Sequence, residues 1–402
     1  MPEEIASVQA GSPPSLGDFD VAVVGAGMAG ASLAYQLAPH LRVLLLERES
    51  QPGYHTTGRS AALFSEVYGN DIVRALSRAS RAFLEAPAAG FAEHPLLTPR
   101  GTLFFAAAGQ LEQLHALHAE VAPRSAAVRW CDADELRKRL PALRPETAQA
   151  GLFEPDASDI DVHALHQGYL RGARQQGATL ICDAELESAS YAADRWTVRS
   201  RAGECSAALL VNAAGAWADD LARLAGAAPL GLAPLRRTAL VFEDHQAWDS
   251  RHWPLAVDID EELYFKPDAG RLLASPADET PSPPCDAQPD EFDVAVLLDR
   301  LERMTLLRPK RITGRWAGLR TFAPDRTPVA GFDARVGNFF WLAGQGGYGI
   351  QTAPALAQLA ASLILGNALP DQLAAQGVAV QDLSARRFDA SRLAGHGPTN
   401  GA

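Results

Sequence analysis

A chain of 402 residues with 47% hydrophobic and 21% charged residues has the balance of a globular protein of two to three domains, at about 150 residues each; a disordered chain, a fibre and a small disulfide scaffold are excluded. Its 48 acidic against 36 basic residues leave a net charge of -12, which argues against sequence-independent nucleic-acid binding. No run approaches the ~18 apolar residues that suggest a transmembrane helix. Cys131, Cys182, Cys205 and Cys285 have no CxxC spacing and read as free thiols in a reducing compartment, taken as the cytoplasm.

The N-terminus carries Glu3 and Glu4 and no apolar core segment, so no secretory signal is expected. The lead-in, residues 1–15 and as far as 18, and the tail 390–402 read as disordered. Residues 20–24, Asp-Val-Ala-Val-Val, predict a buried strand. It runs into Gly25-Ala26-Gly27-Met28-Ala29-Gly30, then a helical stretch, then a second strand over 43–46 that ends at Glu47. This order suits a dinucleotide. Gly25 permits the tight turn, Gly27 lets the backbone approach a pyrophosphate, and Gly30 lets the helix pack on the strand. The helix N-terminus offers N–H groups to phosphate, and Glu47 can accept hydrogen bonds from ribose hydroxyls, which favours FAD or NAD over NADP.

Asp161 predicts the N-cap of a helix over 162–175, ended by Gly177 and followed by a short strand over 179–181. Residues 208–215 read as a buried strand entering a tight turn. Residues 276–284 are a proline-rich loop, 290–307 a helix, and Arg308-Pro309-Lys310-Arg311 a solvated surface turn. A strand over 338–343 enters a second formal GxGxxG at Gly344, Gly346 and Gly349, with a helix from about 353 to Gly366. No acid follows at the right distance, so this is no second dinucleotide site. Its helix dipole instead suits a partner that becomes anionic, such as a reduced flavin ring. His115 with His118, and His163 with His166, have helical spacing but no third ligand; they read as solvated or hydrogen-bonded histidines, and no metal is expected.

The segments 51–62, 164–172, 210–217, 264–270, 316–320 and 345–352 together resemble the D-amino-acid oxidase-like flavoprotein family, nearest to its bacterial D-arginine dehydrogenase type, over about 18–369. The resemblance implies an α/β fold: a discontinuous Rossmann-like, glutathione-reductase-like FAD domain (16–93, 154–225, 318–370) and an α+β substrate domain with an antiparallel sheet (94–153, 226–317). It implies FAD and oxidation of an amino acid to an imine, which water converts to a 2-oxo acid and ammonia.

By the same resemblance, Tyr68, Arg237, Tyr264 and Arg320 clamp the substrate carboxylate, the Gly347 carbonyl accepts from the amine, and Gln351 lies near flavin or substrate. Arg236 adjoins Arg237, so one of the two can be a plain surface charge; the motif match favours Arg237. Leu63, Ser65, Thr102, Leu255 and Val257 line the side-chain pocket. FAD is held by Gly25, Gly27, Met28, Ala29, Gly30, Glu47, Arg48, Thr57, Arg59, Ser60, Ala61, Ala214, Gly215, Trp217, Gly318, Arg320, Gly346, Gly347, Tyr348, Gly349, Ile350, Gln351 and Thr352.

Two departures bear on specificity. Thr102 stands where the D-arginine enzyme has a cation-gripping glutamate, and Leu63 where it has a histidine. A buried unpaired guanidinium is costly, so an apolar or small D-amino acid is the expected substrate, unless the nearby Glu66 replaces the lost charge. The alternative is an oxidase of secondary amines: N-methyl amino acids, proline analogues or glycine. The electron acceptor is a quinone or oxygen.

Overall fold

The computed structural model describes residues 13–388, so the expected tails lie almost wholly outside the described residues. The lead-in expectation needs one correction: a strand already begins at Ser15 and runs to Val24, because residues 15–19 pair with 204–207 of the strand Gly203–Asn212. That pairing holds a polar stretch extended where composition alone suggests coil.

Two large sheets organise the molecule. In the first, Gly203–Asn212, Ser15–Val24, Val43–Leu46 and Thr179–Ile181 lie side by side and parallel. The long strand Gly203–Asn212 pairs at its start with the antiparallel Arg195–Ser200 and at its end with the parallel Phe339–Ala343. Val43–Leu46 and Phe339–Ala343 are buried at every position, as strands covered on both faces must be. The helices Met28–Leu37, Val162–Gln175 and Ala353–Leu365 supply much of one cover. Asp161 caps the second, accepting from the Ala164 N–H at 2.8 Å; Pro354 opens the third, and Gly366 closes it at φ +68°.

The second sheet runs in the order Thr280–Pro281, Ala233–Asp244, Arg271–Ser275, Tyr264–Asp268, Leu255–Asp258, Thr102–Ala106, Ala150–Glu154, Arg129–Asp132. It is antiparallel except where Leu255–Asp258 joins Thr102–Ala106 in parallel, so the sheet expected to be antiparallel is mixed. The long strand Pro309–Phe322 pairs along Ala233–Asp244 and crosses the point near 318 where the two expected units would part. Most of the basic run at 308–311 is therefore strand, not turn, from Pro309 onward; proline is tolerated there because it is the first strand residue. The expected helix over 290–307 is Glu291–Met304, capped by Asp290.

The parallel strands of the first sheet end at Val24, Leu46, Asn212 and Ala343, and each end opens into a site segment. Ligands bind in such folds outside the carboxyl ends of the strands. Among the described residues no helix is long and apolar enough to cross a membrane.

Candidate active site

A cleft of about 330 Å³ runs from Glu47 and Trp217 at one end to Gly347 and Arg320 at the other. Gly25 turns the chain with φ +102°, and a Cβ there would lie 2.4 Å from the Ala213 carbonyl oxygen. A Cβ on Gly30 would lie 1.9 Å from the Gly25 carbonyl oxygen, so this glycine is required for helix–strand contact and does not itself line the cleft. Gly27 does line it, leaving backbone bare where a phosphate would approach. The Glu47 carboxylate accepts from the backbone N–H of Ala26 and of Glu49, each at 3.0 Å. Burial raises its pKa and those two amides oppose the rise. The Met28 N–H is already satisfied by the Thr57 hydroxyl at 2.9 Å. His166 accepts the plain reading: its Nε2 lies 2.8 Å from the Ala26 carbonyl oxygen, bracing the glycine turn. His115 stacks on Trp130.

Every residue expected to hold FAD lines this cleft except Gly30, Tyr348, Gln351 and Thr352. The side chains of Tyr348 and Thr352 point elsewhere. The Tyr348 ring turns away into a cluster with Tyr68 and Phe322, and the buried Thr352 hydroxyl donates to the Tyr348 carbonyl oxygen. Arg59 lines the cleft by its stem, but its guanidinium is spent on the carbonyl oxygens of Ala287 and Ala317 and on Asp286. It straps the 56–59 segment to the second sheet rather than reaching for phosphate. Arg48 lies over Trp217, 4.6 Å from the ring centre, and pairs with Glu185 at 3.0 Å.

A smaller cavity of about 90 Å³ adjoins the cleft and shares Ser60, Ala61, Arg237, Tyr264, Arg320, Gly347 and Ile350 with it. It gathers Leu63, Ser65, Tyr68, Thr102, Leu255, Val257 and Gln351, residues from four separated stretches of chain. Strand register explains the two arginines. Arg320 pairs with Leu235, and Arg237 lies two residues further along the same strand. Cross-strand partners and alternate residues share a face, so Arg237 and Arg320 project together while Arg236 points away. Arg236 accordingly pairs with Asp293 at 2.7 Å.

Arg320 makes one hydrogen bond, Nη1 to the Tyr68 hydroxyl at 3.4 Å, and no ion pair among the described residues. Its guanidinium lies so close to the 347 backbone that a Cβ on Gly347 would meet Nη1 at 2.9 Å. Arg237 donates to the Asp278 carbonyl oxygen at 2.8 Å and pairs loosely with Glu279 at 3.3 Å. Burial would raise the Tyr264 pKa, but the charges of Arg320 and Arg237 prevail and lower it.

The chain matches the family described as "DAO: FAD dependent oxidoreductase" over residues 20–363. It belongs to that family. It is an FAD-dependent oxidoreductase. The bare glycine turn, the Glu47 carboxylate and the length of the cleft fit FAD, and the residues lining the cleft would hold it. It is similar to L-2-hydroxyglutarate dehydrogenase of Escherichia coli K12, 27% identical over 223 residues covering 52% of this chain and 51% of that one. It is likewise similar to monomeric sarcosine oxidase of Bacillus sp., 25% identical over 235 residues, 57% of this chain and 59% of the other. The matches thus span about half the length of these curated relatives. In fold it is similar to FAD-bound L-α-glycerophosphate oxidase of Mycoplasma pneumoniae, with TM-score 0.77 and 20% identity over 87% of this chain and 95% of that one.

Some site residues of this family member escape sequence reasoning. Phe104 lines the small cavity and was readable by alternation, two positions after Thr102 on one strand. Glu261, on the turn between two strands, borders the same cavity; desolvation raises its pKa against the pull of Arg237 and Arg320. Glu66 does not replace the lost charge, because Arg81 holds it at 2.7 Å. The buried acid behind the pocket is Glu154, which no motif marks.

Proposed function

We propose that this enzyme oxidises the Cα–N bond of a small α-amino carboxylate, with a primary D-amino acid of small or apolar side chain as substrate and a 2-oxo acid and ammonia as products. The observation that carries this reading is Arg320: a guanidinium without an ion pair, at the junction of the FAD cleft and a small, largely apolar cavity. A buried charge without a partner is costly, and a substrate carboxylate removes that cost. When bound, FAD supplies the acceptor for two electrons and the substrate's α-hydrogen.

The chain's own residues do the rest. Arg320 and Arg237 hold the carboxylate, with Tyr68 and Tyr264 as neutral donors. The Gly347 carbonyl accepts an N–H of the substrate amine and so fixes which hydrogen of the α-carbon faces the cleft. Leu63, Phe104, Leu255 and Val257 enclose the side chain and exclude water. Their apolar surface favours leucine- or methionine-like substituents over a guanidinium, at about 0.8 kcal/mol per buried methylene. The Thr102 and Leu63 positions set this reading apart from the D-arginine dehydrogenase type. A second reading, oxidation of a secondary amine such as an N-methyl amino acid, is favoured by the similarity to a sarcosine oxidase and by the small cavity.

Anaerobic mixing with primary D-amino acids and with N-methyl amino acids separates the two. Flavin bleaching by D-leucine or D-methionine, ahead of D-arginine, supports the first. Bleaching by N-methyl amino acids alone supports the second, and bleaching by neither class refutes both. Repeating the reaction in air with peroxide detection distinguishes oxygen from a quinone as acceptor.

A further inference from the structure

Glu154 ends the strand Ala150–Glu154 and lies directly across from Thr102 in the antiparallel pair with Thr102–Ala106. Directly opposed residues share a face, so the Glu154 carboxyl is on the side of the sheet that carries the substrate cavity. It is 3% exposed and does not itself line that cavity. Ser65, which does, donates from its hydroxyl to Oε2 of Glu154 at 2.6 Å, and the Glu66 N–H donates to Oε1 at 2.8 Å. No Lys, Arg or His forms an ion pair with Glu154 among the described residues. The charged groups facing it are Glu66, from the adjoining segment, and Arg81, from the helix Asp71–Glu85; these two pair with each other.

The Ser65 hydroxyl thus connects a buried carboxyl to the lining of the cavity. Its neighbours hold it still: the Ser65 N–H donates to Gln351 Oε1 at 3.1 Å, and Gln351 Nε2 donates to the Ser77 hydroxyl at 2.8 Å. Only the hydroxyl hydrogen is free to change direction. When Glu154 is ionised, the carboxylate claims that hydrogen, and Ser65 presents only lone pairs elsewhere. When Glu154 is protonated, its own O–H can donate to Ser65, and the Ser65 hydrogen is free to turn into the cavity.

We propose that Glu154 and Ser65 form a proton-linked element of the substrate site: protonation of Glu154 removes a negative charge behind the cavity and adds a hydrogen-bond donor inside it, so that a carboxylate ligand binds with proton uptake. Glu154 is a positioning residue acting through Ser65. The proposal rests on the reading of the cavity as a carboxylate site. Burial, opposed by the Ser65 and Glu66 hydrogen bonds, pushes the Glu154 pKa up to about 7, which places the switch in an ordinary working range. Sign follows from linkage: an anion that prefers the protonated form binds more weakly as pH rises through that value.

The test is a titration of the FAD-loaded protein with propionate, which stays ionised throughout, followed by the change in flavin absorbance at about pH 6 and about pH 8.5. The dissociation constant should rise roughly fivefold from the lower to the higher pH in the wild type. In Glu154→Gln, whose amide oxygen can still accept from the Glu66 N–H while its NH2 donates to Ser65 as a protonated Glu154 would, and which has no titrating group, the rise should fall below about twofold. In Ser65→Ala the rise should shrink while propionate still binds. Glu261→Gln removes the other titrating acid at the cavity and should reduce the rise less than Glu154→Gln does. If the pH dependence persists in Glu154→Gln, or vanishes in Glu261→Gln instead, the proposal is overturned. Should Glu154→Gln fail to retain FAD, an unaltered dependence in Ser65→Ala overturns it equally. Propionate binding without pH dependence overturns this inference alone, whereas no binding at either pH overturns the carboxylate reading with it.

Discussion

The FAD cleft and the substrate cavity touch, yet they are built from different materials. The cleft is shaped by backbone: the turns at Gly25, Gly215 and Gly346 all have positive φ, and the acids Glu47, Glu185 and Asp220 line it. The cavity is shaped by side chains, several of them on strands of the second sheet, with two arginines, two tyrosines and a ring of apolar residues. Backbone sites tolerate little change at a few glycines and much elsewhere. Side-chain sites tolerate change in architecture but not in charge.

The largest expected effect falls on the backbone site. Gly25→Ala must move either the 213 carbonyl or the turn itself, and it also strains φ, at a cost of about 1–3 kcal/mol for the backbone alone. Purified Gly25→Ala protein should carry less than about a tenth of the wild-type flavin, or fail to accumulate. A yellow, fully loaded variant would mean that the cleft is less dependent on this turn than its geometry implies.

Arg320→Met should separate the two regions. FAD stays bound, because the cleft keeps its glycines and Glu47, while the cavity loses its unpaired cation. A charge-assisted pair contributes about 1.5–3 kcal/mol, so kcat/KM should drop at least about tenfold, chiefly through KM. Equal loss of flavin and of turnover would show that the regions are not separable in this way.

The smallest effect tests strand register. Arg236→Met removes the pairing with Asp293 and should lower stability by about 1 kcal/mol without changing kinetics, whereas Arg237→Met should raise KM. Thermal unfolding beside steady-state kinetics on both variants checks this; a kinetic defect in Arg236→Met would reverse the assignment.

The same contrast explains how much was legible in the sequence. The glycine turn, Glu47 and the flanking strands are local, so their spacing alone shows where the cleft forms. The family resemblance placed Arg320, Tyr68, Tyr264 and the pocket residues. Residue spacing had no means of doing so, since these groups meet only after Thr102–Ala106, Leu255–Asp258 and Pro309–Phe322 take up register. Arg236 and Arg237 are adjacent in sequence and opposite in the sheet, a parity visible only once Arg320 faces Leu235. The side chains of Tyr348 and Thr352 were not predictable from the motif: the Tyr348 ring packs with Phe322, and the Thr352 hydroxyl donates to the Tyr348 carbonyl oxygen. Glu154 was invisible for a further reason: a lone acid at a strand end looks solvated until its partner strand and Ser65 are known.

The central claim is that this cavity binds a carboxylate and presents the attached amine for oxidation. The most direct measurement compares anaerobic flavin reduction by an amino acid and by its carboxamide, the same molecule without the charge: D-leucine against D-leucinamide, or, if only secondary amines react, sarcosine against its amide. The account predicts bleaching by the acid and at least about a tenfold lower efficiency with the amide, narrowing toward parity in Arg320→Met. Equal reduction by acid and amide in the wild type would contradict it.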